Sequence, residues 1–303
     1  MARRQSGRPV HGWLVLDKPA GPSSAAMVAK ARWALAARKA GHAGTLDPAA
    51  TGVLAIAFGE ATKTAAHAVD AEKTYRFAVR WGAATSTDDA EGEVIARSAQ
   101  RPDPAAIRTA LGDFRGDILQ IPPAVSAVHV DGKRAYALVR AGQAPELAAR
   151  PLRVARLDLV ATPDPDTAVL EMTCGKGGYV RAVARDLGAA LGCLGHVAEL
   201  RRLRAGPFGI EEAIGIEELE RLARTPELEA RLLPVTAGLA GLSELPVGRR
   251  EAQTLANGGA VALPDAGLRD GETAWASAEG RPLALGVWRG GVFRPDRVFV
   301  FET

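Results

Sequence analysis

The stretch Gly41-His42-Ala43-Gly44-Thr45-Leu46-Asp47-Pro48-Ala49-Ala50-Thr51-Gly52 limits what this chain can become more than any other. Three glycines and a proline around a single carboxylate predict a loop that neither helix nor strand can absorb. Pro48 disfavours the α region for Asp47, and the glycines adopt backbone angles closed to other residues. The apolar run from Val53 to Phe58 then reads as a buried strand. The loop is therefore expected at the mouth of a sheet, with its one acid held there. The Gly-Lys-Ser/Thr ending of a phosphate-cradling loop is absent, so nucleotide hydrolysis is not indicated. Taken alone, the loop favours a tight turn whose aspartate only bonds nearby amides. The rest of the chain changes that reading.

With 303 residues, 47% of them hydrophobic, the chain has room for two domains and a sizeable core. Its net charge of +3 is mildly basic, and 31 of the 38 basic residues are arginine. Arginine suits phosphate recognition because its fork bonds two oxygens at once, although arginine-rich codon usage would give the same excess. Cys174 and Cys193 form no metal-site spacing and no disulfide framework, which suggests a reducing, cytoplasmic setting. The basic segment from Met1 to Pro9 is expected to be a disordered tail. Only Trp13 to Leu16 follows before Asp17 and Lys18, too short for a signal-peptide core, and no segment approaches membrane-spanning length.

In chain order, His11 to Lys18 predicts a first strand. Ser23 or Ser24 caps a helix with Met27, Ala31 and Leu35 on one face, and Gly41 is expected to end it. Lys73 to Gly82 alternates, with Tyr75, Phe77, Val79 and Trp81 on one face and Thr74, Arg76, Ala78 and Arg80 on the other. Tyr75 stands at the start of that strand, where a site can use it. Asp88, Asp89 and Glu91 form an acidic turn. Pro102-Asp103-Pro104 opens a helix to Leu111, and Ile121 to Gly142 holds a strand (Ser126 to Val130), an Asp131-Gly132 turn and a basic helical stretch. Arg150, Arg153 and Arg156 follow. Solvated surface is the plain reading of these charges, but with Tyr136 and His129 they also suit an RNA groove.

A second informative segment is Cys174-Gly175-Lys176-Gly177-Gly178-Tyr179-Val180-Arg181. A strand from Ala168 breaks at the glycines and a helix opens, with Val180, Val183, Leu187 and Leu191 on its buried face. Its N-terminus favours anions, and Arg181 and Arg185, four apart, share one face. Glu199 to Phe208 is strand-like and strongly basic. Helices run to about Leu233, and residues 234–245 read as a linker of small residues. Beyond Leu245 the pattern turns to short strands with glycine turns, which predicts a small β-barrel-like second domain.

Asp17-Lys18-Pro19, Gly41 to Pro48, Lys73-Thr74-Tyr75, Lys176 to Arg181 and Leu200-Arg201-Arg202, in that order, resemble the TruB-type tRNA pseudouridine synthases. The resemblance covers residues from about 11 to 235, and more weakly the C-terminal part, which is similar to the family's PUA-like RNA-binding barrels. It implies an α+β fold: a mixed, largely antiparallel sheet core with flanking helices, plus a small C-terminal β-barrel-like domain. The expected division is a tail at 1–9, a catalytic domain at 10–235 with an RNA-clasping insertion at about 120–150, and an RNA-binding domain at 245–303. The resemblance further implies a catalytic Asp47, a base-stacking Tyr75 and Arg181 as the aspartate's basic partner. Tyr179 and Leu200 are implied in the target pocket, with His42 and Lys18 near the RNA. The implied partner is the T stem-loop of tRNA, with no cofactor, no metal and a monomeric enzyme. Departures are modest: Pro22-Ser23-Ser24 where Thr-Ser is commoner, Gly178 where Thr is commoner, and Leu203 where Thr is commoner.

The implied chemistry explains the residue types. Converting uridine to pseudouridine breaks the C1′–N1 bond, turns the uracil and joins C5 to C1′. A carboxylate can attack the sugar or take a proton from it, and either role needs the ionised form. Burial works against ionisation, so a nearby arginine such as Arg181 is the expected counterweight, held through a two-toothed bond. Tyr75, Tyr179 and Leu200 supply an apolar lid against water, and the base must leave its stack to be reached. Phosphate contacts are expected from Lys133, Arg134, Arg140, Arg201 and Arg202. Two rivals fit parts of the chain. A glycosidase would use Asp88, Asp89 or Glu91 as a second acid, whereas a non-catalytic RNA-binding or RNA-folding protein leaves the Asp47 loop unexplained.

Overall fold

A computed structural model describes residues 7–126, 128–130, 132–143 and 145–301; the side chains of Lys133, Arg134, Ala137 and Arg140 lie outside that description, as does Asp131 of the expected turn. The chain opens with β1 (Gly12–Lys18), α1 (Ser24–Ala34), β2 (Ala40–His42) and β3 (Thr51–Phe58). α2 (Ala65–Asp70) leads to β4 (Lys73–Trp81), and the hairpin of β5 (Ala83–Thr85) and β6 (Val94–Arg97) carries the acidic turn. Next come α3 (Pro104–Ala110), β7 (Gly116–Gln120), β8 (His129–Val130), β9 (Lys133–Arg134) and α4 (Ala135–Arg140). The long strands β10 (Arg150–Asp164) and β11 (Thr167–Cys174) precede α5 (Val180–Ala190), β12 (Gly195–Ala205) and β13 (Phe208–Gly209). α6 (Ile216–Arg221) and α7 (Pro226–Glu229) follow. The remainder is β14 (Ser243–Pro246), α8 (Arg249–Ala256), β15 (Val261–Ala262), β16 (Glu272–Ala278), β17 (Arg281–Arg289) and β18 (Val292–Val298).

Two sheets organise these elements. The first runs β1-β3-β12-β4-β11-β10-β7, with β2 beside β3 and β13 beside β12. Its pairings are antiparallel except that of β3 with β12, so the sheet is mixed and largely antiparallel. The alternation in β4 has its expected effect: Phe77, Val79 and Trp81 are buried, and α5 covers them with Val180, Val183 and Leu187. The second sheet runs β14-β16-β17-β18-β15. Its Trp275 and Leu285, with Phe299 just beyond β18, pack with Trp13 and Phe208 of the first, in one apolar cluster. No helix among the described residues is long and apolar enough to cross a membrane.

Three local expectations are corrected. α1 does not run to Gly41; it stops at Ala34, and the chain reverses at Ala36 with φ of 49°. Gly41 and His42 are not loop but the edge strand β2, where they pair with Ala57 and Ile56. Residues 234–245 are not a linker. Val235 and Leu239 lie on a buried 3-10 turn beside Trp13, because apolar side chains spaced four apart were available to cover that ring.

One crossing fixes the site. β12 runs parallel to β3 with Arg202 opposite Gly52. Gly52 has φ of 97°, and a Cβ there would stand 2.1 Å from the Arg202 carbonyl oxygen. Only glycine permits this approach, which brings the basic strand beneath the loop.

Candidate active site

The loop between β2 and β3 is held from three directions. Ser24, in the first turn of α1, accepts a hydrogen bond from Leu46 N and donates one to Leu46 O, each 2.9 Å. Lys18, at the end of β1, is fully buried; its Nζ donates to Pro19 O at 2.9 Å, Pro48 O at 2.9 Å and Ala50 O at 2.7 Å. Arg202 donates to Gly44 O at 3.1 Å, Thr45 O at 3.3 Å and Val53 O at 2.8 Å. Leu46 and Ala50 are buried on either side of Asp47. The crown of the loop therefore has little freedom, and Asp47 projects from it.

Asp47 meets Arg181, which α5 presents near its N-terminus. Arg181 NH2 lies 3.0 Å from Asp47 Oδ2, with the arginine side chain 7% exposed and that of the aspartate 45%. The pair is one-toothed rather than two-toothed, because the guanidinium is shared. NH1 also donates to Thr87 O at 3.0 Å and NH2 to Val125 O at 3.0 Å, and NH1 is 3.5 Å from Asp89 Oδ2. One turn on, Arg185 donates to Asp88 Oδ2 at 2.9 Å and to Ile121 O at 2.8 Å. Burial pushes the Asp88 carboxyl up, against the pull of Arg185. Two arginines on one helix face thus clasp the acidic turn of the β5–β6 hairpin, whose Asp88 O accepts from Val197 N of β12 at 3.0 Å. The expectation that Asp47 is buried is not met in the free protein.

A cavity of about 190 Å³ opens beside Asp47, walled by Tyr75, Tyr179, Arg181, Leu200 and Ser126. Four site residues expected from the resemblance to surround Asp47 therefore lie together. Tyr75 projects from β4, where it pairs with Arg202 on one side and Met172 on the other. Burial pushes both the Tyr75 and Tyr179 phenols up, so each ring stays protonated at neutral pH. Tyr179 is fixed through its backbone: its N donates to Gln120 Oε1 at 2.9 Å, and its O accepts from Gln120 Nε2 at 3.2 Å. A smaller cavity of about 40 Å³ lies on the other side of Asp47, against Asp89 and Glu91.

Other expected residues fall elsewhere. Lys18 is not placed to touch RNA, since it lies beneath the loop with its ammonium bonded to three carbonyls. His42 is half-buried on β2 and does not wall the cavity; burial, and then Arg202, push its imidazole down, towards the neutral form. Arg202 is no phosphate contact, being 1% exposed with its guanidinium donating to the carbonyls of Gly44, Thr45 and Val53. Arg201 grips Asp17 with both nitrogens, at 3.0 and 2.7 Å. The residues that sequence reasoning missed are Ser24, Gln120 and Asp89 as the second carboxylate on Arg181. Asp89 was visible as part of an acidic turn, but nothing local ties that turn to α5.

Lys73, at the start of β4, is buried and donates to Val69 O and to Ala71 O. Burial, with Arg202 nearby, pushes its ammonium from an ordinary 10.5 down to about 8. Between those two values the unfolded chain binds the proton that the folded chain has released, so this group's contribution to stability rises with pH. Urea titrations of wild type and Lys73→Met are expected to diverge in favour of the wild type from about pH 8 upwards. A difference that stays flat across that window would mean Lys73 titrates as it does in water.

Both the fold and the sequence have known counterparts. A solved chain of a Cbf5-Nop10-Gar1 complex superposes with a TM-score of 0.77 at 23% identity, covering 99% of this chain and 91% of that one. The two share a fold, one built around the mixed sheet described above. In sequence, residues 32–180 match the TruB family pseudouridylate synthase (N terminal domain), and residues 181–240 the tRNA pseudouridylate synthase B C-terminal domain. A tRNA pseudouridine synthase B from Ruegeria pomeroyi is 58% identical over 99% of both chains. That from Dinoroseobacter shibae is 57% identical over 99% of this chain and 98% of its own. The chain belongs to the TruB family of pseudouridylate synthases.

Proposed function

We propose that this protein isomerises uridine to pseudouridine at position 55 in the T loop of tRNA, with Asp47 as the essential carboxylate. The observation that carries the reading is the setting of Asp47: half-exposed on a braced loop, paired with a buried guanidinium, and facing a cavity walled by two tyrosines and a leucine. A uridine turned out of its stack enters the cavity with its ring against Tyr75. Asp47 then attacks the sugar or takes a proton from it, and the C1′–N1 bond breaks. Tyr179 and Leu200 keep water from the freed sugar while the uracil turns. C5 joins C1′, the C5 proton is lost and N1 gains one, so the product has the mass of the substrate. No cofactor enters this balance.

The RNA partner would be the T stem-loop, gripped by the segment at 120–150 and the second sheet, with a catalytic domain at 10–235, a second domain at 245–303 and a monomer acting in the cytoplasm. Loss of the C5 proton gives a direct assay. Transcribed tRNA carrying tritium at uridine C5 should release one tritium per pseudouridine formed, at unchanged RNA mass. Free uracil would instead support a glycosidase, and unchanged uridine a binding protein. Against the glycosidase, the second carboxylate brought to the site, Asp89, is 16% exposed, set against Arg181 and not in the wall of the larger cavity.

A further inference from the structure

The buried arginine beneath the loop is more than the site's scaffold requires. We propose that Arg202 is a positioning residue for the isomerisation, setting the direction of Asp47 through the Gly44–Thr45 limb of the loop and the seat of Tyr75 across the strand pair. The proposal rests on the function inferred above.

Three observations support it. Arg202 is 1% exposed, yet its guanidinium donates to the carbonyls of Gly44, Thr45 and Val53 and, among the described residues, to no carboxylate. A buried ion is expensive, and well-packed apolar side chains often replace one without loss of stability. A charge kept here for structure alone would be a poor choice. Next, the register puts Arg202 between Gly52 of β3 and Tyr75 of β4, so one side chain lies under both the loop and the stacking ring. The phenol of Tyr75 stands beside the guanidinium, which opposes the upward push of burial on that group. Lastly, the two limbs of the loop have separate anchors. Lys18 holds the Pro48–Ala50 limb and Arg202 the Gly44–Thr45 limb, with Asp47 at the crown between them. Loss of Arg202 lets the Gly44–Thr45 limb shift and the crown tilt, while Lys18 and the bonds of Ser24 to Leu46 keep the loop closed.

A positioner acts on the reaction more than on substrate capture. For Arg202→Gln and Arg202→Met, kcat in the tritium-release assay should fall by roughly 100-fold, the scale of losing one preorganised polar contact, while KM for tRNA stays within about threefold of wild type. Arg202→Lys keeps the charge but offers three donors from a point, so it should recover part of kcat and not all of it. Melting curves establish that each variant folds. Wild-type kcat in folded Arg202→Gln would overturn the proposal, as would a loss confined to KM. Should none of the three variants give a cooperative melt, the side chain would be a determinant of the fold, and the proposal would again fail. Failure of the functional reading looks different, because the wild type itself would then release no tritium.

Discussion

Asp47→Asn is expected to abolish turnover while leaving tRNA affinity within a few-fold of wild type. The substitution changes neither size nor the bonds that Ser24, Lys18 and Arg202 make to the loop backbone, so the crown keeps its shape. What it removes is the negative charge that faces the cavity. An amide can neither attack C1′ nor accept a proton from the sugar, and no second carboxylate among the described residues walls the larger cavity. The loss should reach at least about four orders of magnitude, the scale seen when a single essential catalytic side chain is removed. The affinity should hold because Asp47 presents one carboxylate to a substrate whose binding is dominated by phosphate contacts. Single-turnover tritium release and filter binding, on the same preparation, separate the two quantities. Residual turnover within a hundredfold of wild type would remove Asp47 from the chemistry.

The second large effect is expected at Arg181. Its guanidinium serves Asp47, Asp89, Thr87 O and Val125 O at once, and its side chain is nearly inaccessible. Lysine keeps the charge but cannot span four acceptors lying in different directions. In Arg181→Lys the ammonium must choose among them, and the carboxylate of Asp47 gains freedom to rotate away from the sugar. A rate loss of roughly 10²–10³-fold at saturating tRNA is expected, comparable to removal of one preorganised charge contact. Arg181→Ala should be slower still, since it also leaves Asp89 beside an emptied space. Its partner Arg185 holds Asp88 on the same turn, so the β5–β6 hairpin should stay docked and binding should change little. Near-wild-type turnover in both variants would show that the ion pair at 3.0 Å is incidental.

How much of this was legible in the sequence follows from how local each cause is. Asp47 was legible because the pattern around it is contiguous: glycines, a proline and then a buried strand. The faces of β4 and α5 were legible because alternation and four-residue spacing are local rules. The meeting of Asp47 with Arg181 came only through the family resemblance, since no periodicity links a loop to a helix so far along the chain. Arg202 was misread. In sequence an arginine in a run of arginines reads as surface, and its burial depends on β12 crossing beside Gly52, which is a fact of topology. Lys18 was misread for the same reason, because its three carbonyl acceptors belong mostly to a loop that begins well beyond it. Asp89 was seen as an acid of a turn but not as a partner of Arg181, because the hairpin that carries it is held against β12 by Val197 rather than by its own sequence. The linker expected at 234–245 failed differently. Small residues there suggested flexibility, whereas Val235 and Leu239 are spaced to cover Trp13.

The most direct test of the central claim is to incubate the protein with an unmodified tRNA transcript and map pseudouridine by position. The expected result is a single pseudouridine at position 55, at unchanged RNA mass, which disappears with Asp47→Asn. Released uracil, pseudouridine undiminished in that variant, or uridine left intact by the wild-type protein would contradict it.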